Sequence, residues 1–162
     1  TVMVGGDAQA FERVRPALNA IISQSLLMGP TGSGNLTKLM NNMTADAYQI
    51  GIMEAFVLAA KLGMDVGAML EVMQTASAAT RQIARIGPKI LDRAFFQTSK
   101  LSGHVRGQEV MGLLAKQAGI TLPLREVVQG VWIRGEAAGL GPEDPAKVIA
   151  LYEDAAGIEV HR

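Results

Sequence analysis

Lys38 and Asn42 stand four residues apart in a stretch of helical periodicity, which puts them on one face of a helix. An ammonium there can protonate or hydrogen-bond a developing alkoxide, and a carboxamide beside it fixes the direction of the oxygen. The same spacing also describes a solvated lysine with a polar neighbour. Leu36, Leu39, Met40 and Met43 flank the pair, so its face is expected to border buried surface. Directly upstream lies Gly29-Pro30-Thr31-Gly32-Ser33-Gly34. Glycines let backbone approach a ligand, and a helix N-terminus favours an anion. The spacing Gly-x-x-Gly-x-Gly is neither the dinucleotide fingerprint Gly-x-Gly-x-x-Gly nor a Walker loop. It reads as a tight strand-to-helix turn or as a loop facing a ligand.

The other polar residues carry weaker signals. His104 and His161 have no second histidine at metal-ligand spacing, so each is expected at the surface and no metal site is expected. Glu54, within an apolar stretch, reads as a hydrogen-bonded structural carboxylate. Arg81, Arg85, Lys89 and Arg93 recur every four residues, the pattern of a solvated helix face. Trp132 reads as core or interface packing, and the serines lack a nucleophile-elbow sequence.

The elements that must position these groups are mostly helical. Thr1–Val4 and Ser25–Met28 are the only strand-like stretches, and Asp7 is placed to cap a helix carrying Phe11, Val14, Leu18, Ile21 and Ile22. An isolated short strand is marginal in water, so one beginning at the first residue reads as the trace of something in front of it. From Gly34 to Gly63 the apolar positions repeat at three- and four-residue steps, predicting a helix of roughly 30 residues and about 45 Å. Around Ile50–Leu58 they nearly encircle it, so this helix should be central. Asp65, Ser77 and Asp144-Pro145 are set to cap further helices, and Gly87-Pro88 should bend or break the second of them. Residues around 100–118 form another, and Pro123 opens one reaching about Ala138.

The composition agrees with such a domain. The 162 residues balance 15 Lys+Arg against 15 Asp+Glu, which argues against a nucleic-acid or anionic-membrane surface. With 49% hydrophobic and 19% charged residues the chain can bury a core, which excludes disorder. No cysteine is present, so disulfides and thiolate chemistry are excluded. No apolar run approaches the roughly 20 residues of a membrane span, and the expected location is cytoplasmic.

The string from Gly29 through Lys38 to Asn42 resembles the catalytic motif of the β-hydroxyacid dehydrogenases, the family of 3-hydroxyisobutyrate dehydrogenase and tartronate semialdehyde reductase. Met3–Asp7, Glu54–Lys61, Ala118–Leu124 and Leu151-Tyr152 follow in family order, so the resemblance covers nearly the whole chain. It implies a mostly α, multi-helical domain built around one long central helix, like the C-terminal domain of 6-phosphogluconate dehydrogenase, with a residual N-terminal strand or two. Residues 1–30 would be the end of a Rossmann domain, and residues 31–162 a helical substrate-binding and dimerisation domain. The activity implied is NAD- or NADP-dependent interconversion of a small 3-hydroxy acid and its semialdehyde. Lys38 matches the catalytic lysine, Asn42 a substrate-holding residue, and Gly32 and Gly34 the loop around the substrate.

Asn41 stands where 6-phosphogluconate dehydrogenases have a histidine, which favours the small β-hydroxyacid branch. Imine reductases usually lack the lysine. On the cofactor side, the family's Lys-Asp pair appears as Arg106-Gly107. An expected aromatic position is Ser99, although Phe95 fits nearby. The dinucleotide-binding half is not among these residues, so the chain by itself is expected to be inactive, and the apolar surface of Gly51–Leu58 implies a homodimer. The alternative is a non-catalytic helical dimerisation or interaction module derived from that fold.

Overall fold

The computed structural model describes residues 1–162 and contains seven α-helices and two short strands. They form two compact units, Thr1–Asn42 and Met43–Arg162.

In the first unit, β1 (Val2–Val4) and β2 (Ser25–Leu27) pair in parallel, with Val2, Met3 and Val4 opposite Ser25, Leu26 and Leu27. Parallel strands need a crossover, here α1 (Ala8–Ile21). Asp7 caps it as expected, accepting from the Ala10 N–H at 2.8 Å. The expected apolar stripe of α1 is only partly used. Phe11 is buried, whereas Val14 and Ile21 are exposed, because a two-stranded sheet is too narrow to cover a whole helical face.

β2 leads through Gly29 (φ 128°) and Gly32 (φ 95°) into α2 (Ser33–Lys61), 29 residues long. The end of β1 lies against the start of this helix. A Cβ on Gly34 would stand 2.4 Å from the Met3 carbonyl oxygen, and one on Gly5 2.8 Å from that of Pro30. Gly34→Ala should therefore force β1 away from α2 and cost about 1–3 kcal/mol. Urea unfolding of the variant measures it.

In the second unit the α2 residues Ile50, Ile52, Met53, Phe56, Val57 and Ala59 lie in the core. The same stretch is not apolar all round: Gly51, Glu54 and Leu58 are exposed. Gly63 ends α2 in the left-handed conformation (φ 74°), and the Met64 N–H closes onto the Ala59 carbonyl. Asp65 then caps α3 (Val66–Thr75) through the Ala68 N–H.

The cap of α4 (Arg81–Leu91) is Thr80, which accepts from the Ile83 N–H, and not Ser77. Nor does Gly87-Pro88 break this helix. Proline loses one backbone bond, but Ile83, Ile86, Ile90 and Leu91 are all buried and hold the turn in place. Gly87 lets α3 come close, since a Cβ there would meet Leu70 Cδ1 at 2.4 Å.

α5 (Leu101–Gln117) and α6 (Pro123–Gly135) follow, the latter opened by Pro123. α6 stops before Ala138, and a wide irregular turn over Glu136–Leu140 carries Gly139 at φ 85°. Asp144 caps the tight turn Pro145–Val148, which runs into α7 (Ile149–Ala156). Gly157 ends that helix at φ 62°.

Candidate functional site

Gly32, Gly34, Lys38 and Asn42 lie on one loop-helix segment in the first unit. Gly32 sits at an open turn: a Cβ there would meet nothing within 4 Å. The helix starts immediately after it, with the Leu36 N–H bonded to the Gly32 carbonyl. The first turn of α2 holds no acidic side chain, so its amide dipoles keep their positive character. Lys38 is exposed and Asn42 half-buried. Of the flanking residues expected to make their face border buried surface, Leu36 and Met40 are exposed while Leu39 and Met43 are half-buried. Gly34 is buried, and the β1 backbone explains why no side chain fits there.

Phe95 and Arg106 belong to the second unit. Phe95 follows α4 and packs against the core, its ring covered by the Arg93 guanidinium at 5.0 Å. It also lines a cavity of about 350 Å³ with Arg93, Leu140, Lys147 and Ala150. Arg106 is exposed on α5.

Three polar residues stand where the sequence did not put them. Lys89 is buried, not part of a solvated face. Its ammonium bonds Asp144 Oδ2 at 2.8 Å and the Phe96 carbonyl at 3.2 Å, and lies 4.5 Å from the Phe96 ring centroid. Thr98 binds the same carboxylate oxygen through both its N–H and its hydroxyl. Burial alone would push the Asp144 carboxyl up. Lys89 and the N–H groups of Ala146 and Thr98 outweigh that and hold it below its usual 3.8. The available signal was position: Lys89 sits between Ile86 and Ile90, on the apolar side of α4.

His104, expected at the surface, is wedged between Asp46 and Ser99, with its ring against that of Trp132. Asp46 is buried, although it lies on the helix that carries the central apolar run. Its place four residues before Ile50, on the same face of α2, was the signal.

Glu54 has a hydrogen-bond partner, as its sequence context suggested, but it is exposed. Tyr152 donates to Glu54 Oε1 at 3.3 Å. Burial, reinforced by the Glu54 charge, pushes the Tyr152 phenol from 10.0 up to about 12. The neutral phenol is thus favoured by the fold, so its contribution is complete below pH 10 and fades as pH rises toward 12. In a Tyr48→Phe variant, which leaves Tyr152 as the sole tyrosine, phenolate absorbance should rise with a midpoint near 12.

In the turn after β1 the space above Gly5 is filled by the Pro30 carbonyl and the Gly34 amide, whereas the space above Gly6 is open. The open turn at Gly32 and the acid-free start of α2 together leave backbone amides of positive character at this helix end.

Residues 32–152 match the family model described as "NAD-binding of NADP-dependent 3-hydroxyisobutyrate dehydrogenase". The chain belongs to this family. Its members are NAD(P)-dependent dehydrogenases of hydroxy acids. The chain is 29% identical to the 2-(hydroxymethyl)glutarate dehydrogenase of Eubacterium barkeri, over 99% of its own length and 54% of that protein. Its fold superposes on the crystal structure of 3-hydroxyisobutyrate dehydrogenase from Salmonella typhimurium with a TM-score of 0.83 and 25% identity, over 91% of this chain and 52% of that one. For the Mycobacterium tuberculosis 3-hydroxyisobutyrate dehydrogenase with L-serine the values are 0.80 and 26%, over 93% and 54%. The chain thus spans about half the length of the relatives it matches. The mostly helical architecture around one long helix is that of the 3-hydroxyisobutyrate dehydrogenase family. No helix is long and apolar enough to cross a membrane.

Proposed function

We propose that this chain provides the substrate-binding and proton-transfer part of an NAD- or NADP-dependent oxidoreductase that interconverts a small 3-hydroxy acid and its semialdehyde. The observation that carries this reading is the Lys38–Asn42 pair, one helical turn past the open Gly32 turn and inside the family-matched segment. L-Serine, present in the mycobacterial structure, is itself a 3-hydroxy acid, which supports the substrate class.

When bound, the nicotinamide supplies or accepts hydride. The rest belongs to side chains. The amides opening α2 and the turn at Gly32 favour the substrate carboxylate. The Asn42 carboxamide orients the reacting oxygen, and Lys38 Nζ donates a proton to that oxygen during reduction or takes one during oxidation. Phe95 and Arg106 are assigned to the cofactor side.

Residues 1–30 are read as the end of a dinucleotide-binding domain and 31–162 as the helical domain. With no Gly-x-Gly-x-x-Gly fingerprint among its residues, the 162-residue chain should not turn over by itself, and the location is taken as cytoplasmic. Exposed Tyr48 and Leu58 on α2, with Leu62 just past its end, support pairing of two chains. Assaying small semialdehydes with NADH and NADPH tests the reading. The chain alone should be silent, while the protein carrying it together with a dinucleotide-binding half should reduce them. Turnover by the isolated chain would overturn the division of labour.

A further inference from the structure

The second unit holds a line of side chains that hydroxy-acid chemistry does not use. Asp46, 2% exposed, places Oδ1 2.7 Å from His104 Nδ1, while its Oδ2 accepts from Gln108 Nε2 at 2.8 Å. The other imidazole nitrogen, Nε2, lies 3.0 Å from Ser99 Oγ. Trp132, fully buried, meets the His104 ring edge to face at 5.9 Å between centroids, which limits its rotation. Ser99 is exposed. A carboxylate only accepts hydrogen bonds, so His104 carries its proton on Nδ1 toward Asp46. In the neutral ring that leaves the Nε2 lone pair facing the Ser99 hydroxyl. A hydroxyl within reach of a base, with the base oriented by a third group, is the arrangement of an activated nucleophile.

We propose that Ser99 is a base-activated nucleophile that takes an acyl group from activated ester-type donors. Ser99 Oγ bonds the acyl carbon and His104 Nε2 takes the hydroxyl proton. The bond from that carbon to the leaving oxygen breaks, and His104 returns the proton to the departing group. Asp46 acts as a positioning residue, holding the tautomer.

The surroundings set the fate of the ester. The N–H groups of Leu101, Ser102 and Gly103 at the start of α5 are bonded to the carbonyls of Glu143, Gly141 and Lys100. None of the three is free to stabilise a tetrahedral oxyanion. An aryl ester, with a good leaving group, can still acylate Ser99. The alkyl ester so formed has a poor leaving group and should hydrolyse slowly. The chemistry is therefore self-acylation with little turnover. It rests on the second unit alone and is independent of the oxidoreductase reading.

The test is to mix the full chain with p-nitrophenyl acetate, follow nitrophenolate release and map the adduct by peptide mass spectrometry. The expected result is a burst approaching one equivalent and acetyl on Ser99. Ser99→Ala should abolish both. His104→Gln should slow acylation about a hundredfold. Asp46→Asn should slow it as well, with circular dichroism confirming that the variant is folded. If Asp46→Asn does not fold, Ser99→Ala and His104→Gln still decide the matter. Acetyl found on lysines but not on Ser99, a burst surviving in Ser99→Ala, or His104→Gln acylated as fast as the parent would overturn the proposal.

Discussion

Lys38→Ala in the protein that carries this chain with a dinucleotide-binding half is expected to lower kcat about a hundredfold or more, with a smaller change in KM. General acid-base assistance from one positioned group typically supplies a factor of about 10²–10⁴, and an alanine offers nothing in its place. The effect should appear mainly in kcat because the substrate oxygen gains or loses charge only as hydride moves. Asn42→Ala should raise KM as well, since an orienting hydrogen bond acts on bound substrate too. Steady-state kinetics in both directions separates these outcomes. Near-normal turnover in Lys38→Ala would return this exposed side chain to the role of a solvated lysine. It would also favour the non-catalytic module as the reading of the chain.

Asp144→Ala is expected to destabilise the second unit by about 3–5 kcal/mol, the usual cost of removing one partner from a buried ion pair. The Lys89 and Asp144 side chains are 2% and 1% exposed, so the lysine left behind would have only Phe96 O and Thr98 Oγ1 as hydrogen-bond partners. The loss extends beyond the pair, because the same carboxylate caps Pro145–Val148 and anchors Thr98. A double variant, Lys89→Met with Asp144→Leu, should recover much of the loss by removing both charges together. Chemical denaturation of the three proteins measures this.

The pair also sets the response to acid. Asp144 is held below 3.8, so its stabilisation is complete above that pH and is lost as pH falls through the lower folded-state value. The parent should therefore lose stability steeply below about pH 4. Asp144→Ala should show a shallower slope in that range.

Both experiments bear on residues that the sequence revealed to different degrees. Spacing places Lys38 and Asn42 on one helical face past a glycine turn, because a helix start is a local event, while their proposed roles come from the family resemblance of the segment. Asp7, Asp65 and Asp144 were placed as caps for the same reason, each accepting from an N–H two or three residues downstream. Thr80 was missed as a cap because Ser77 offered the same chemistry, and only the position of the first packed turn separates them. Gly87-Pro88 was misjudged because a propensity rule counts the lost hydrogen bond and omits the four apolar side chains that α4 buries around it.

The sequence by itself determined the helical class, the length of α2, most of the turns and the segment bearing Lys38, since each follows from residues near one another along the chain. Only the tertiary structure decided that Lys89 is buried and that Asp46, Ser99 and His104 meet. Lys89 and Asp144 are separated by 55 positions and Asp46 and His104 by 58, so their energies depend on contacts that no local pattern encodes. A charge is solvated or paired according to what packs over it, and that is settled when the helices come together.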